Sequence, residues 1–112
     1  MKPNLPPQRP PRNLTEAERQ ALIDDGVVCV RSMLDNKWLE TIENGVERIK
    51  ASPGVIANIL SMPEKGFTGD LFMWRKYREF AEVLFGSPLA HLAQQAMNST
   101  LVKHWYDQLF VK

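Results

Sequence analysis

A mixed α+β fold, mainly helical, is predicted by three features of this sequence. An apolar stripe at helical spacing runs through residues 38–49. Further helical segments, punctuated by glycine and proline, fill residues 77–97, and short β-rich stretches stand at residues 27–30 and 101–112. The last of these reads as the best strand in the chain, yet no turn, cap or partner strand follows it.

The chain has 112 residues, enough for one domain with a modest core. A net charge of +1, with no Lys/Arg cluster interleaved with aromatics, gives no reason to expect nucleic acid. Lone Cys29 excludes an intrachain disulfide framework and, inside an apolar run, reads as a small buried hydrophobe. A reducing cytoplasm is expected. No apolar run has the length of a membrane span, and the start of the chain lacks the apolar core of a signal peptide.

Residues 1–13 hold five of the eight prolines and read as an extended, solvated tail lying on whatever follows. Pro7 and Pro10 have PxxP spacing, which would also suit a proline-motif ligand. The folded part is expected over residues 14–112. Thr15 and Glu18 have capping-box spacing and open a helix to about residue 25, with Leu14 against the Arg19 stem, residues 21–23 on its buried face and Gly26 as a left-handed stop. Residues 27–30, Val-Val-Cys-Val, then read as a buried strand.

Asp35 is the expected N-cap of a second helix whose stripe is Trp38, Leu39, Ile42, Val46 and Ile49. Its charges make a solvated face, and Trp38 reads as core. Residues 53–68 are irregular, a loop with one short helical or extended piece. The aromatic-rich residues 67–76 read as a loop that either plugs the core or lines a pocket. Residues 77–85 form a helix ended by Gly86, and Ser87-Pro88 starts another to Met97. His91, with no ligand partner at helical spacing, reads as a surface or cap histidine. In the final strand His104, Tyr106, Gln108 and Lys112 share one face, a polar pattern that suits a solvated pocket or an exposed edge equally well.

Phe67-Thr68-Gly69-Asp70-Leu71-Phe72-Met73-Trp74-Arg75 and Tyr106-Asp107-Gln108-Leu109-Phe110-Val111-Lys112 together resemble the phytanoyl-CoA dioxygenase family of iron(II)- and 2-oxoglutarate-dependent oxygenases. The resemblance covers roughly residues 14–112. It implies the N-terminal helical region and first strands of a double-stranded β-helix, or jelly-roll, with the barrel incomplete. It also implies that Gln108, with Tyr106 and Lys112 on its face, lies beside the cosubstrate, and that Trp74, Phe72 and Met73 lie near the mouth of a small-molecule substrate pocket. The family's His-x-Asp pair, distal His and 2-oxoglutarate-binding Arg have no counterparts, since His104-Trp105-Tyr106 lacks the Asp. Neither catalytic nor metal-ligating residues are therefore assigned, and the chain is expected to be an inactive fragment truncated before the iron-binding motif. The competing expectation is a small helical binding module that self-associates through its C-terminal strand. A catalytically dead paralogue kept as a regulator is not separable from that module by sequence.

Overall fold

In the computed structural model, which describes residues 6–112, helices carry most of the chain and one small sheet ties its end back. The order is α1 (Glu16–Asp25), α2 (Asn36–Ala51), α3 (Val55–Leu60), a 3₁₀ turn (Pro63–Lys65), β1 (Thr68–Leu71), α4 (Met73–Lys76), α5 (Arg78–Gly86), α6 (Leu89–Met97) and β2 (Gln108–Val111). The fold is thus mixed α+β and mainly helical. Among the described residues the sheet has two antiparallel strands, and no helix is long and apolar enough to cross a membrane.

The capping box forms at α1: Thr15 Oγ1 accepts from Glu18 N–H at 3.1 Å, and Glu18 Oε2 accepts from Thr15 N–H at 3.1 Å. Gly26, with φ 74°, supplies the left-handed stop. The expected buried face does not form, however, because Ile23 is 75% exposed. Leu14 is the residue that anchors this end; it is buried, and its N–H donates to Gln95 Oε1 at 2.7 Å.

Arg12 grips the Glu18 carboxylate through both terminal nitrogens, at 2.8 and 3.1 Å. That pairing first, and the Thr15 N–H second, hold Glu18 below the usual carboxylate range. A depressed folded-state value stabilises the fold above the unfolded value and loses that stabilisation as pH falls through the folded one. Wild type should therefore be more stable than Glu18→Gln at neutral pH and lose its advantage on acidification. Thermal melts of both proteins down to about pH 3 check this, and a pH-independent difference would refute it.

Residues 27–30 are not a strand, and Cys29 is exposed rather than buried. A β-branched run becomes a strand only when another strand offers its backbone a partner, and among the described residues no strand pairs with this one. Val27 is accordingly 70% exposed.

Helix α2 forms as its spacing predicts, with Asp35 Oδ1 accepting from Trp38 N–H at 3.2 Å. It packs against α5, and the close approach is made at Gly45. A Cβ there would lie 2.7 Å from the Phe80 ring, so a larger residue would push the helices apart. Fully buried Ile49 and Ala57, with Met73 and Phe80, form the main cluster; Val46, Trp74, Tyr77 and Leu109 pack around it. Trp38 is buried, as expected, and its indole N–H donates to Gln8 Oε1 at 2.8 Å. Gln8 N–H donates in turn to the Gly86 carbonyl at 2.8 Å, so this part of the tail lies across α2 and α5. Residues 1–5 of the expected tail lie outside the described residues.

Two expectations about the second half need correction. Residues 67–76 are not a plain loop, since they contain β1 and the single turn α4. Nor is the terminal strand twelve residues long and unpartnered: only Gln108–Val111 is strand, and it pairs with β1. The register sets Thr68 opposite Val111, Gly69 opposite Phe110, Asp70 opposite Leu109 and Leu71 opposite Gln108.

Candidate functional site

The two segments singled out for function, residues 72–74 and 106–112, are brought side by side by the β1–β2 pairing. At the end of β1 the chain turns sharply at Phe72, a bulky residue held at φ 56° in the left-handed region. What holds it there is Asp107. Its carbonyl accepts from Phe72 N–H at 3.0 Å, and its Oδ2 accepts from Trp74 N–H at 3.0 Å. One residue thus fastens the C-terminal segment to the start of α4 by backbone and side chain together.

The predicted site residues then separate. Met73 is 2% exposed and taken up by the core cluster. Trp74 stands edge-on to Phe85 and to His104, each with ring centroids 5.7 Å away. Phe72 lies toward solvent with its ring 6.2 Å from that of Tyr106. The Arg75 guanidinium carbon sits 5.2 Å from the Trp74 ring centroid and 5.9 Å from that of Phe72, a cation–π arrangement that the sequence alone did not indicate. Phe72, Tyr106 and Arg75 make an exposed aromatic and cationic surface beside Gln108.

Gln108 and Phe110 point to the exposed face of β2, while Leu109 and Val111 point toward the core. Lys112 is exposed and stands four residues beyond Gln108, about 13 Å along an extended chain. Tyr106 lies farther still in the opposite direction. Tyr106 and Gln108 stand near the Phe72 end of β2, and Lys112 at its other end.

A cavity of about 340 Å³ lies on the far side of His104, lined by Leu84, Phe85, Ala93, Met97, Val102 and Trp105 among others. Its floor is the face of α6 that presents Leu89, Ala93 and Met97 at i, i+4 and i+8. That spacing was the available signal for it. The extended residues 102–105 form the opposite wall, and Trp105, 86% exposed, stands at its rim. Trp74 backs this wall through its contacts with Phe85 and His104, both of which line the cavity.

A polar network missed at the sequence level underlies the sheet. Asp70, completely buried on the core face of β1, accepts from Lys76 Nζ at 2.6 Å and from Leu71 N–H at 2.8 Å. Among the described residues, Asp70 Oδ2, Asp107 Oδ1 and Trp74 Nε1 are buried without a hydrogen-bond partner. Two of these three atoms belong to the Asp107–Trp74 junction, which therefore keeps unused hydrogen-bonding capacity next to the cavity wall.

Iron(II) in a facial triad needs two imidazoles and a carboxylate converging on one point. Among the described residues no three His, Cys, Asp or Glu side chains come together in that way. Comparison with family models, with curated proteins and with solved structures finds no match for this chain.

Proposed function

We propose that this chain is the N-terminal part of an iron(II)- and 2-oxoglutarate-dependent oxygenase of the phytanoyl-CoA dioxygenase kind, with its iron ligands supplied by residues outside these 112. The supporting observation is the β1–β2 pairing. It joins the two segments that carry the resemblance into one unit, although 33 residues separate Trp74 from the Asp107 that binds it. In this reading the two strands are the first of a jelly-roll, with Tyr106 and Gln108 facing the 2-oxoglutarate side. The apolar cavity against α6 takes the organic substrate. The whole enzyme would hydroxylate that substrate, with oxygen and 2-oxoglutarate giving the alcohol, succinate and carbon dioxide. We place it in the cytoplasm.

The 112-residue chain, supplied with iron(II), 2-oxoglutarate and apolar candidate substrates, should form no succinate above background. Turnover by the chain itself would overturn the assignment of its iron ligands to other residues. The coding DNA beyond the Lys112 codon should contain, in frame or after a frameshift, a His-x-Asp motif. An unrelated sequence after a true stop codon would overturn the reading altogether.

A second reading, a small binding module working through its C-terminal strand, is favoured by a different observation: β2 leaves Gln108 and Phe110 on an exposed face, Phe110 at 66%.

A further inference from the structure

Pro7 and Pro10, with their PxxP spacing, play no part in either reading above, yet the fold gives them a definite place. Proline fixes its own φ and pushes the residue before it into extended backbone, so Pro6-Pro7 and Arg9-Pro10-Pro11 favour the polyproline II helix. That helix has three residues per turn and sets Pro7 and Pro10 on one side. Burial follows the same period. Pro7 and Pro10 are half-buried, while Pro6, Gln8, Arg9, Pro11 and Arg12 are exposed.

Two residues of the segment hold it to the helices. Gln8 uses two groups at one place: its N–H donates to the Gly86 carbonyl at 2.8 Å, and its Oε1 accepts from the Trp38 indole N–H at 2.8 Å. Gly86 makes room for this arrangement, since a Cβ there would lie 3.1 Å from Cη2 of the Trp38 ring. Four residues on, Arg12 takes both Glu18 carboxylate oxygens and reaches the Arg31 carbonyl at 3.3 Å. An aromatic residue, inward prolines three apart and a carboxylate for an arginine suit a groove that takes a polyproline segment.

The hold is light. No residue from 6 to 13 is buried, none belongs to the main core cluster, and the Arg12 side chain is 41% exposed, where an ion pair adds little. A segment that is already extended loses little entropy on docking, so it can leave and return without unfolding the core.

We infer that the surface made by Trp38, Gly86 and Glu18 is a binding site for an extended proline-rich peptide, with residues 7–12 of this chain as its resident occupant, docked in cis and exchangeable. The inference goes beyond both readings above and needs neither. The pattern it reads is Pro-Gln-x-Pro-x-Arg: prolines for backbone shape, glutamine for the Trp38 donor and the Gly86 acceptor, arginine for Glu18. Tethered by a short connection, the chain's own segment has an effective concentration of about 1 mM and excludes a free peptide of the same pattern until it is weakened.

In the wild-type chain, hydrogen exchange followed by NMR should find protection of the Gln8 N–H and the Trp38 indole N–H at least about 100-fold below that of the Ile49 amide in α2. Equal protection would mean that the segment leaves only on global unfolding, and would overturn its exchange. A fluorescein-labelled peptide of residues 6–13 is then titrated with the full chain carrying Gln8→Ala and Arg12→Ala. Anisotropy should show binding about tenfold tighter than to wild type, and a peptide carrying the same two substitutions should not bind. Should the double variant lose its cooperative melt, Gln8→Ala alone, which keeps the Arg12–Glu18 pair, serves in its place. Equal binding to variant and wild type, or binding indifferent to the peptide's substitutions, overturns the site and puts the peptide elsewhere. No binding to the folded variant overturns it as well.

Discussion

Replacing Lys76 with methionine should lower the unfolding free energy by about 3 kcal/mol, the low end of what breaking a buried ion pair costs. Asp70 is fully buried on the core face of β1, opposite Leu109, and its ammonium partner lies 2.6 Å away on α4. With Lys76 gone, Oδ1 keeps only the Leu71 N–H, and Oδ2 already has no partner among the described residues. Lys76 is about one-third exposed, so water reaches its side of the pair and the upper end of the range is not expected. Adding Asp70→Asn to Lys76→Met should recover most of the loss, because the remaining buried group is then neutral. Urea denaturation of the three proteins measures this. A Lys76→Met protein within about 0.5 kcal/mol of wild type would show that the pair does not hold β1 to α4.

Ile49→Ala is expected to cost about 3 kcal/mol, and Leu39→Ala, two positions on the same predicted stripe, less than about 1 kcal/mol. Ile49 is wholly inaccessible, enclosed by Ala57, Met73 and Phe80, and truncating it leaves a void that its neighbours cannot fill. Leu39 is 49% exposed and leaves its space to water. Parallel denaturation curves with unchanged slope would give both values. Equal losses at the two sites would mean that α2 turns a different face to α5.

The same pair of residues shows how far the sequence could be read. Helical period located α2, its Asp35 cap and its buried Trp38 and Ile49, because those depend on residues within a few turns. It placed Leu39 on the stripe equally with Ile49, since period marks a face but not where the neighbouring helix lies. Residues 27–30 and β1 are the converse case. Val-Val-Cys-Val has the composition of a strand and is none, while Thr-Gly-Asp-Leu has poor strand composition and is one. Pairing was decided by a distant partner, Asp107 fixing Phe72 and Trp74, while the nearer Lys76 neutralises buried Asp70 and Ser61 serves Gly69, contacts that no strand period encodes. In the candidate site, Phe72 and Tyr106 were read from the sequence separately, and their closeness follows from the β1–β2 pairing. Met73's place in the core, Arg75 over the two rings, and the cavity behind His104 depend on packing that a strand period does not encode.

The hydroxyl of Ser61 has a consequence for how the molecule behaves in a crowd. In the language of polymer chemistry, a unit with two reactive ends builds chains, whereas a unit with one reactive end stops them. By occupying Gly69, Ser61 caps one of the two edges of the sheet, so that among the described residues growth at that edge is blocked. A side chain of two heavy atoms thereby does for β1 what a chain stopper does for a polymer, withdrawing its edge from further addition.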